Sequence, residues 1–291
     1  MTTQEHLLDV RGLDVAIDGP AGPVKVVRDL SFSLDAGSTT GIVGESGSGK
    51  SMTASAIMGI LPEVATASGS VRYRGTDLLT LSERRRRAMS GPELGFIFQE
   101  PMSALHPMLS IGEQMTRPLR HHLGLSKGAA RTRCEELLDQ VGIPPERGVL
   151  RSYVHELSGG MRQRVMIAMA ISCAPSLLIA DEPTTALDTT VQKQILDLLM
   201  RLRDELDLAV LLISHDLGLV ARYADHVVVM LDGLEMEQGP TVKLITEPQH
   251  AYTRGLLEAA PRLGRKVHRL PVIDTSRFDT SGAGPRSEVQ A

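Results

Sequence analysis

The residues best suited to do chemistry lie in a glycine-rich loop in the first fifth of the chain. The loop spaces three glycines before a lysine and a serine, in the order Gly44, Glu45, Ser46, Gly47, Ser48, Gly49, Lys50, Ser51. Glycine lets a backbone turn tightly, so that successive N–H groups can point at a phosphate. A lysine here adds positive charge for the β- and γ-phosphates, and the serine hydroxyl is suited to Mg²⁺. The loop therefore predicts a site for a nucleoside triphosphate and Mg²⁺.

The elements on either side of the loop support this interpretation. The short apolar stretch 41–43 predicts a strand before it, and residues 52–61 can form a helix after it. Such a helix presents the positive end of its dipole and its unpaired N–H groups to the phosphates. The alternative is a glycine-rich turn that binds nothing. We favour nucleotide binding because the motif occurs in the strand–loop–helix context that its chemistry needs.

Aliphatic runs alternate with helical patterns along the chain, as at 177–181 and 209–213. This alternation predicts a parallel sheet covered on both faces by helices. In such a sheet the functional residues belong at the carboxyl ends of the strands. Four candidate residues fall at predicted strand ends: Gly44, Gln99, Asp181 and His215.

Two consecutive acids follow the apolar run at 177–180. Asp181 is the expected acidic partner for Mg²⁺ in a protein with a phosphate loop. Glu182, one residue later, is placed to orient and deprotonate a water that attacks the γ-phosphate. The alternative for Glu182 is an ordinary surface acid.

Composition narrows the class of protein. The chain has 291 residues, and its 42% of hydrophobic residues is ordinary for a globular protein. Its net charge of −4 argues against broad electrostatic binding to nucleic acid. The four arginines at 84–87 are read as a solvated face.

Cys134 and Cys173 lack metal-ligand spacing, so we expect free buried thiols. The apolar stretch 165–170 is far shorter than the roughly 20 residues that span a bilayer, so any membrane link should run through a partner.

The remaining patterns outline the domain organisation. Residues 7–34 read as strands, and a long apolar helix is expected at 161–174, stopped by Pro175. We expect one nucleotide-binding domain over 1–263, with a helical insert at about 103–174. The polar stretch 264–291 should form a partly disordered C-terminal extension.

A second glycine-containing motif identifies the family that the chain resembles. Residues 157–164 read Leu-Ser-Gly-Gly-Met-Arg-Gln-Arg, which matches the signature of ATP-binding subunits of ABC transporters. The other landmarks of that family occur in the expected order, at Gln99, Asp181, Glu182, Asp188 and His215. The resemblance covers about residues 7–263. It implies an α/β P-loop NTPase fold of the ABC type, with a mainly parallel sheet, an antiparallel β subdomain and a helical insert.

The resemblance also implies an ATPase with a shared site. Ser158, Gly159 and Gly160 would face the γ-phosphate of an ATP bound by a second ATPase subunit, so that two ATP molecules are sandwiched head to tail. A plain helix cap is the alternative for this motif. Hydrolysis would use a water activated by Glu182.

Further roles follow from the same resemblance. Gln99 would sense Mg²⁺ and the attacking water, join Ser51 and Asp181 as a metal ligand, and couple the site to the helical insert. His215 would contact the γ-phosphate. Asp188 would lie near the dimer seam, although capping of a helix explains it equally well.

The C-terminal part of the chain points to one branch of the family. Residues 247–257 resemble the His-Pro-Tyr-Thr segment of ATPases that serve oligopeptide and dipeptide importers, a branch that includes nickel importers. This implies a paralogous ATPase, two membrane permeases and an extracytoplasmic solute-binding protein as partners, with the chain peripheral on the cytoplasmic face of the membrane. No nucleic-acid partner is expected. The alternatives are an exporter ATPase and a soluble ABC ATPase of translation or DNA repair.

The chain departs from the sequence pattern of this branch in several places. Ala251 replaces the usual proline, and His106 stands where asparagine is commoner. No aromatic residue precedes Leu30, where many relatives stack one on adenine, so the base contact should be aliphatic or come from elsewhere. No cysteine follows Cys173, so we expect none of the iron–sulfur clusters that some relatives bind after this segment.

Overall fold

The computed structural model describes residues 6–185 and 187–259. The strands are β1 (Leu8–Gly19), β2 (Gly22–Leu34), β3 (Thr39–Gly44), β4 (Ala65–Tyr73), β5 (Thr76–Asp77), β6 (Leu94–Ile97), β7 (Leu177–Asp181), β8 (Ala209–Ser214), β9 (His226–Leu231) and β10 (Leu234–Pro240). The α-helices are α1 (Lys50–Met58), α2 (Glu83–Met89), α3 (Pro101–Ala104), α4 (Ile111–His122), α5 (Lys127–Gln140), α6 (Gly159–Ala170), α7 (Thr189–Leu206), α8 (Leu217–Val220), α9 (Thr241–Thr246) and α10 (Ala251–Ala259). Short 3₁₀ turns occupy Leu78–Thr80, Pro145–Arg147, Val149–Arg151 and Val154–Glu156.

The described chain forms two compact units. The first contains the described residues up to Leu81 and those from Leu211 onward, and the second is Ser82–Val210. The phosphate loop belongs to the first unit, whereas Asp181, Glu182 and the signature motif belong to the second.

The first unit contains an antiparallel sheet in the order β2-β1-β4-β5. Strands β1 and β2 form a long hairpin that pairs Leu8 with Leu34 and Gly19 with Gly22. On its core face the hairpin buries aliphatic residues such as Leu13, Val15 and Leu30, each 0% exposed. The antiparallel subdomain predicted from the sequence is therefore present.

The first unit also contains strands in the order β10-β9-β3-β8. Strands β3 and β9 are parallel, with Gly44 opposite Met230, and β10 returns antiparallel to β9. Every residue of β3 and β8 is buried. Continuous aliphatic runs are typical of strands covered on both faces, as the sequence predicted.

The second unit is mainly helical and contains β7 beside β6. Strands β6 and β7 are parallel and pair Ile97 with Ala180. Helix α4 begins at a capping box, in which Ser110 and Glu113 each bond the backbone N–H of the other. Both cysteines lie in this unit as free, buried thiols, as expected.

Both boundaries predicted for helix α6 are wrong, and helix α1 (Lys50–Met58) begins and ends earlier than the predicted 52–61. Helix α6 spans Gly159–Ala170, not 161–174, so it begins two residues earlier and ends four residues earlier. It begins earlier because the Ser158 side chain caps its first turn. It ends earlier because the chain turns after Ile171 and Ala174 takes a left-handed conformation at φ 56°.

Across the part of the chain that the structure describes, the helices are all too short or too polar to traverse a bilayer. The predicted extension at 264–291 lies outside the described residues.

Candidate nucleotide-binding site

The phosphate loop runs from the end of β3 to the start of α1, as predicted. Its turns need glycine, because Gly47 and Gly49 have φ values of 83° and 95°. Gly44 is required for a different reason. A Cβ on Gly44 would lie only 2.1 Å from the Met230 carbonyl oxygen, so the loop approaches β9 too closely for a side chain.

Lys50 lies inside the loop that it follows. Its side chain is only 4% exposed, and Nζ donates hydrogen bonds to the carbonyl oxygens of Gly44 and Glu45, both at 2.8 Å. Nζ also donates to Ser48 Oγ at 3.4 Å. The Lys50 ammonium is thus held among oxygen atoms at the centre of the phosphate loop, where a bound phosphate would contact it.

The backbone of neighbouring strands supports the loop. Gly233, in the turn between β9 and β10, donates its N–H to the Ser48 carbonyl oxygen at 3.2 Å. On the other side, a Cβ on Gly49 would lie 2.5 Å from the Val26 carbonyl oxygen of β2. Close backbone packing on both sides fixes the shape of the loop.

His215 directly follows β8 and is exposed. The next residue, Asp216, accepts a hydrogen bond from the Leu219 N–H at 2.9 Å and so caps α8. The imidazole is therefore presented at a strand end, as the sequence predicted.

In the second unit, β7 ends at Asp181, which is 6% exposed. Glu182 follows with a left-handed backbone, φ 44°. Its carboxylate accepts hydrogen bonds from Gln99 Nε2 at 3.2 Å and from Thr185 Oγ1 at 2.8 Å. The structure thus brings together Gln99 and Glu182, which the sequence picked out separately.

Thr185 is a site residue that the sequence analysis missed. It lies three residues after Glu182 and orients the same carboxylate that Gln99 contacts. A hydroxyl at this short spacing from the acid is the signal that could have revealed it. The adjacent Thr184 carbonyl oxygen is bonded by Gln192 Nε2 at 3.2 Å, which ties this segment to α7.

The signature motif forms the N-terminus of α6. Ser158 Oγ accepts the Met161 N–H at 3.3 Å, and Ser158 and Gly159 are exposed. A Cβ on Gly160 would lie 3.2 Å from a methyl group of Val191, so glycine lets α6 start close against α7. Asp188 caps α7 by accepting the N–H groups of Thr190 and Val191 at 3.1 and 3.0 Å. The capping interpretation of Asp188 is therefore confirmed.

The chemistry of these groups suits a magnesium nucleotide. Backbone N–H groups of a glycine loop and a buried ammonium bind phosphate, and hydroxyl and carboxylate oxygens are the ligands that Mg²⁺ prefers.

Comparisons with known proteins agree with this chemistry. The family model described as "ABC transporter" matches residues 27–185, more than half of the chain. A second model, "Oligopeptide/dipeptide transporter, C-terminal region", matches residues 236–283.

The similar curated proteins are ATP-binding proteins of transport systems. A putative peptide import ATP-binding protein of Brucella abortus is 49% identical over 96% of this chain and 84% of its own length. The oligopeptide transport ATP-binding protein OppD of Salmonella typhimurium is 49% identical over 88% of this chain and 77% of its own. The dipeptide transport ATP-binding protein DppD of Bacillus subtilis is 46% identical over 97% and 84%.

Solved structures confirm the predicted fold class. A dimeric ATP-binding cassette in a post-hydrolysis state with ADP and Pi has a TM-score of 0.72 and 25% identity, covering 80% of this chain and 98% of that one. The cbiO1 protein of Clostridium perfringens has a TM-score of 0.70 and 27% identity, covering 84% and 92%. The fold is that of an α/β P-loop ATPase, with ATP and Mg²⁺ as its ligands. The chain belongs to the ATP-binding proteins of the ABC transporter family.

Proposed function

We propose that this chain is the ATPase subunit that powers uptake of oligopeptides or dipeptides through an ABC importer. The observation that carries the proposal is the match of residues 236–283 to the C-terminal region of oligopeptide and dipeptide transporters. The described part of this region contains most of β10, together with α9 and α10. Relatives named for peptide, oligopeptide and dipeptide transport support the same solute class.

We assign the binding of ATP phosphates to the loop 44–51. Lys50 would exchange its bonds to the loop oxygens for bonds to the β- and γ-phosphates, which carry more negative charge. His215 would contact the γ-phosphate from the end of β8. The donor set of Ser51, Gln99 and Asp181 would hold Mg²⁺, which neutralises phosphate charge when bound.

We assign Glu182 as the general base. Its carboxylate is held in place by hydrogen bonds from Gln99 Nε2 and Thr185 Oγ1. A carboxylate fixed in this way can accept a proton from a water that attacks the γ-phosphate. Gln99 would orient the same water and report the state of the site to the helical part of the second unit.

We assign Ser158, Gly159 and Gly160 to the nucleotide of a partner ATPase. An exposed helix N-terminus with little side-chain bulk can approach a phosphate closely. The expected assembly is a head-to-tail pair of similar ATPases with two ATP molecules between them. Asp188, at the start of α7, would lie near the seam of that pair.

The other partners would be two permeases and an extracytoplasmic solute-binding protein. Exposed apolar side chains on the second unit suit a permease contact, since Met102, Met108 and Leu123 are 51%, 77% and 47% exposed. Such contacts would hold the chain at the cytoplasmic face of the membrane. In domain terms, we propose a nucleotide-binding domain over 1–263 with a helical insert at about 103–174, followed by an extension at 264–291.

Co-purification tests the assembly. The tagged chain would be recovered from detergent-solubilised membranes of its own cell, and all retained proteins would be identified by mass spectrometry. We expect two multi-span proteins and a second, similar ATPase. The matched control is the same tag on an unrelated P-loop ATPase. Recovery with ribosomal or DNA-repair proteins instead would overturn the transport assignment.

Uptake tests the solute class. A strain that lacks the chain should lose uptake of labelled dipeptides and longer peptides, and the intact gene should restore it. Complementation with the Glu182→Gln variant should fail at equal protein abundance. Unchanged peptide uptake in the deletion strain would show that the solute is of another class.

A further inference from the structure

Helix α2 carries a block of positive charge that the proposed function does not use. Its four arginines, at 84–87, are accompanied on the same helix by one acid, Glu83, which pairs with Arg87. No residue of α2 is buried, and Arg84 and Arg85 are exposed. Neither of these two makes an ion pair or a hydrogen bond with any residue that the structure describes. Their charges are therefore open to solvent.

The C-terminal end of α4 adds further basic groups beside α2. The last turn of α4 contains Arg120, His121 and His122. A Cβ on Gly91, two residues after α2 ends, would lie 3.4 Å from the His122 ring, so the ends of the two helices adjoin. Arg120 and His121 are exposed, and Arg120 makes no ion pair or hydrogen bond within the described chain. The exposed basic groups of both helices form what we call the basic patch: Arg84, Arg85, Arg120 and His121.

Arginines on the neighbouring helix α5 are instead neutralised by acids of their own helix. Arg131 pairs with Glu135 at 3.3 Å, and Arg133 pairs with Glu136 at 2.8 Å. The whole chain has a net charge of −4. The basic patch is therefore a local excess of positive charge on a chain that is negative overall, and such an excess attracts a surface that carries many negative charges.

We propose that the basic patch binds the anionic phospholipid headgroups of the membrane in which the transporter works. The proposal rests on the proposed function, because Leu123, which we assign to the permease contact, directly follows His122 in the chain. The patch thus adjoins the surface assigned to the membrane subunits. Arginines clustered at a bilayer are attracted by the negative surface potential of its lipids. This contact would hold the helical part of the second unit at the membrane in addition to the permeases.

Vesicle binding of the purified full chain tests the proposal. The chain would be sedimented with vesicles of phosphatidylcholine alone, and with vesicles of phosphatidylcholine and phosphatidylglycerol in equal parts. We expect binding only to the vesicles that contain phosphatidylglycerol. Arg84→Gln combined with Arg85→Gln should lower the partition coefficient at least about tenfold. Raising the salt from about 0.1 to 1 M should release the wild type, since the Debye length falls from about 10 to 3 Å.

The matched control combines Arg131→Gln with Arg133→Gln. It removes the same charge from arginines that are accessible but paired, and should keep the partition coefficient within about threefold of the wild type. Both double variants should hydrolyse ATP within about twofold of the wild-type rate in the membrane-purified complex, which would show that they fold.

Three results would overturn the proposal. The first is equal binding of the wild type and the α2 double variant to anionic vesicles, or an equal loss in the α5 control. The second is binding of the wild type to an RNA oligonucleotide in preference to the vesicles. The third is loss of the permeases when the α2 double variant is co-purified, since the patch would then bind protein. A failure of the transport assignment is distinct from these, because the permeases would be absent from the wild-type preparation as well.

Discussion

At the scale of single residues, the backbone of Glu182 is the most informative feature. A left-handed conformation costs a residue with a side chain roughly 1–2 kcal/mol. Glu182 keeps this conformation while its carboxylate is fixed by Gln99 and Thr185. Strain of this kind persists where the surrounding structure enforces it, often at functional sites. The geometry agrees with the role proposed for Glu182 as general base.

Replacing the Glu182 carboxylate by an amide tests that role. Glu182→Gln should retain ATP binding and lose hydrolysis by about 100-fold or more, because an amide cannot accept the proton of the attacking water. Phosphate release in the membrane-purified complex measures this. Glu63→Gln makes the same chemical change at an exposed acid and should hydrolyse ATP at the original rate. Hydrolysis near the original rate in Glu182→Gln would reject Glu182 as the base.

His226, the first residue of β9, should make the folded chain less stable at acidic pH. Burial lowers the pKa of His226 below its ordinary value of 6.5, and its Nδ1 has no hydrogen-bond partner among the described residues. The unfolded chain therefore binds a proton more readily than the folded one. The free energy of unfolding should fall as the pH drops below about 6.5 and through the folded-state pKa. Urea titrations between pH 7.5 and 5 should show a flatter dependence for His226→Gln, and an identical slope would exclude His226 as a source.

At the scale of elements, helices α5 and α6 permit a controlled comparison. Each begins at a serine whose Oγ accepts a backbone N–H in the first turn, from Ala129 for Ser126 and from Met161 for Ser158. Only the start of α6 belongs to the signature motif. The two serines therefore have the same structural role but different proposed functions.

Ser126→Ala and Ser158→Ala should each lower the free energy of unfolding by about 1 kcal/mol, as the loss of a helix cap does. Only Ser158→Ala should also reduce ATP hydrolysis, because its hydroxyl is assigned to the partner's γ-phosphate. Urea denaturation and phosphate release, measured on the same preparations, separate the two effects. If both variants hydrolysed ATP equally well, Ser158 would be a helix cap and nothing more.

The β1–β2 hairpin is relevant to whether the site distinguishes ATP from GTP. The Val26 carbonyl oxygen lies against the phosphate loop, and Val24, two residues earlier on β2, is 58% exposed. An aliphatic side chain offers no polar group to distinguish adenine from guanine. We therefore expect kcat/KM for GTP to lie within about tenfold of that for ATP. A thousandfold preference for ATP would require a polar base contact elsewhere.

The same elements show what the sequence could and could not predict. The phosphate loop, the acids at the end of β7 and the signature were found because their chemistry is carried by consecutive residues. The early end of α6 was missed, because Ile171, Cys173 and Ala174 continue the apolar pattern after the helix stops. The hydrogen bond between Gln99 and Glu182 joins residues that are far apart in the chain. Only the folded chain reveals such contacts.

At the scale of the whole molecule, the motifs predict a function that needs a second ATPase. The chain carries both a phosphate loop and a signature, and we assign the second to a partner's nucleotide. With hydrolysis blocked, ATP should keep the two subunits together. Glu182→Gln, co-expressed with its paralogue, should therefore elute as a dimer in ATP by size-exclusion chromatography with light scattering. Adding Lys50→Ala to this chain, and the matching alanine substitution to the phosphate-loop lysine of the paralogue, should abolish this dimer. A monomeric Glu182→Gln protein in saturating ATP would contradict the sandwich arrangement.

The two cysteines have a practical consequence for studying this ATPase. Burial raises the pKa of Cys134 to about 11 and also raises that of Cys173. The thiolate is the form that reacts with maleimides and iodoacetamides, so both native thiols are protected at neutral pH while the chain is folded. A cysteine introduced on the surface will therefore be labelled first. Fluorophores or spin labels can be placed at chosen positions to follow subunit closure without removing the native cysteines.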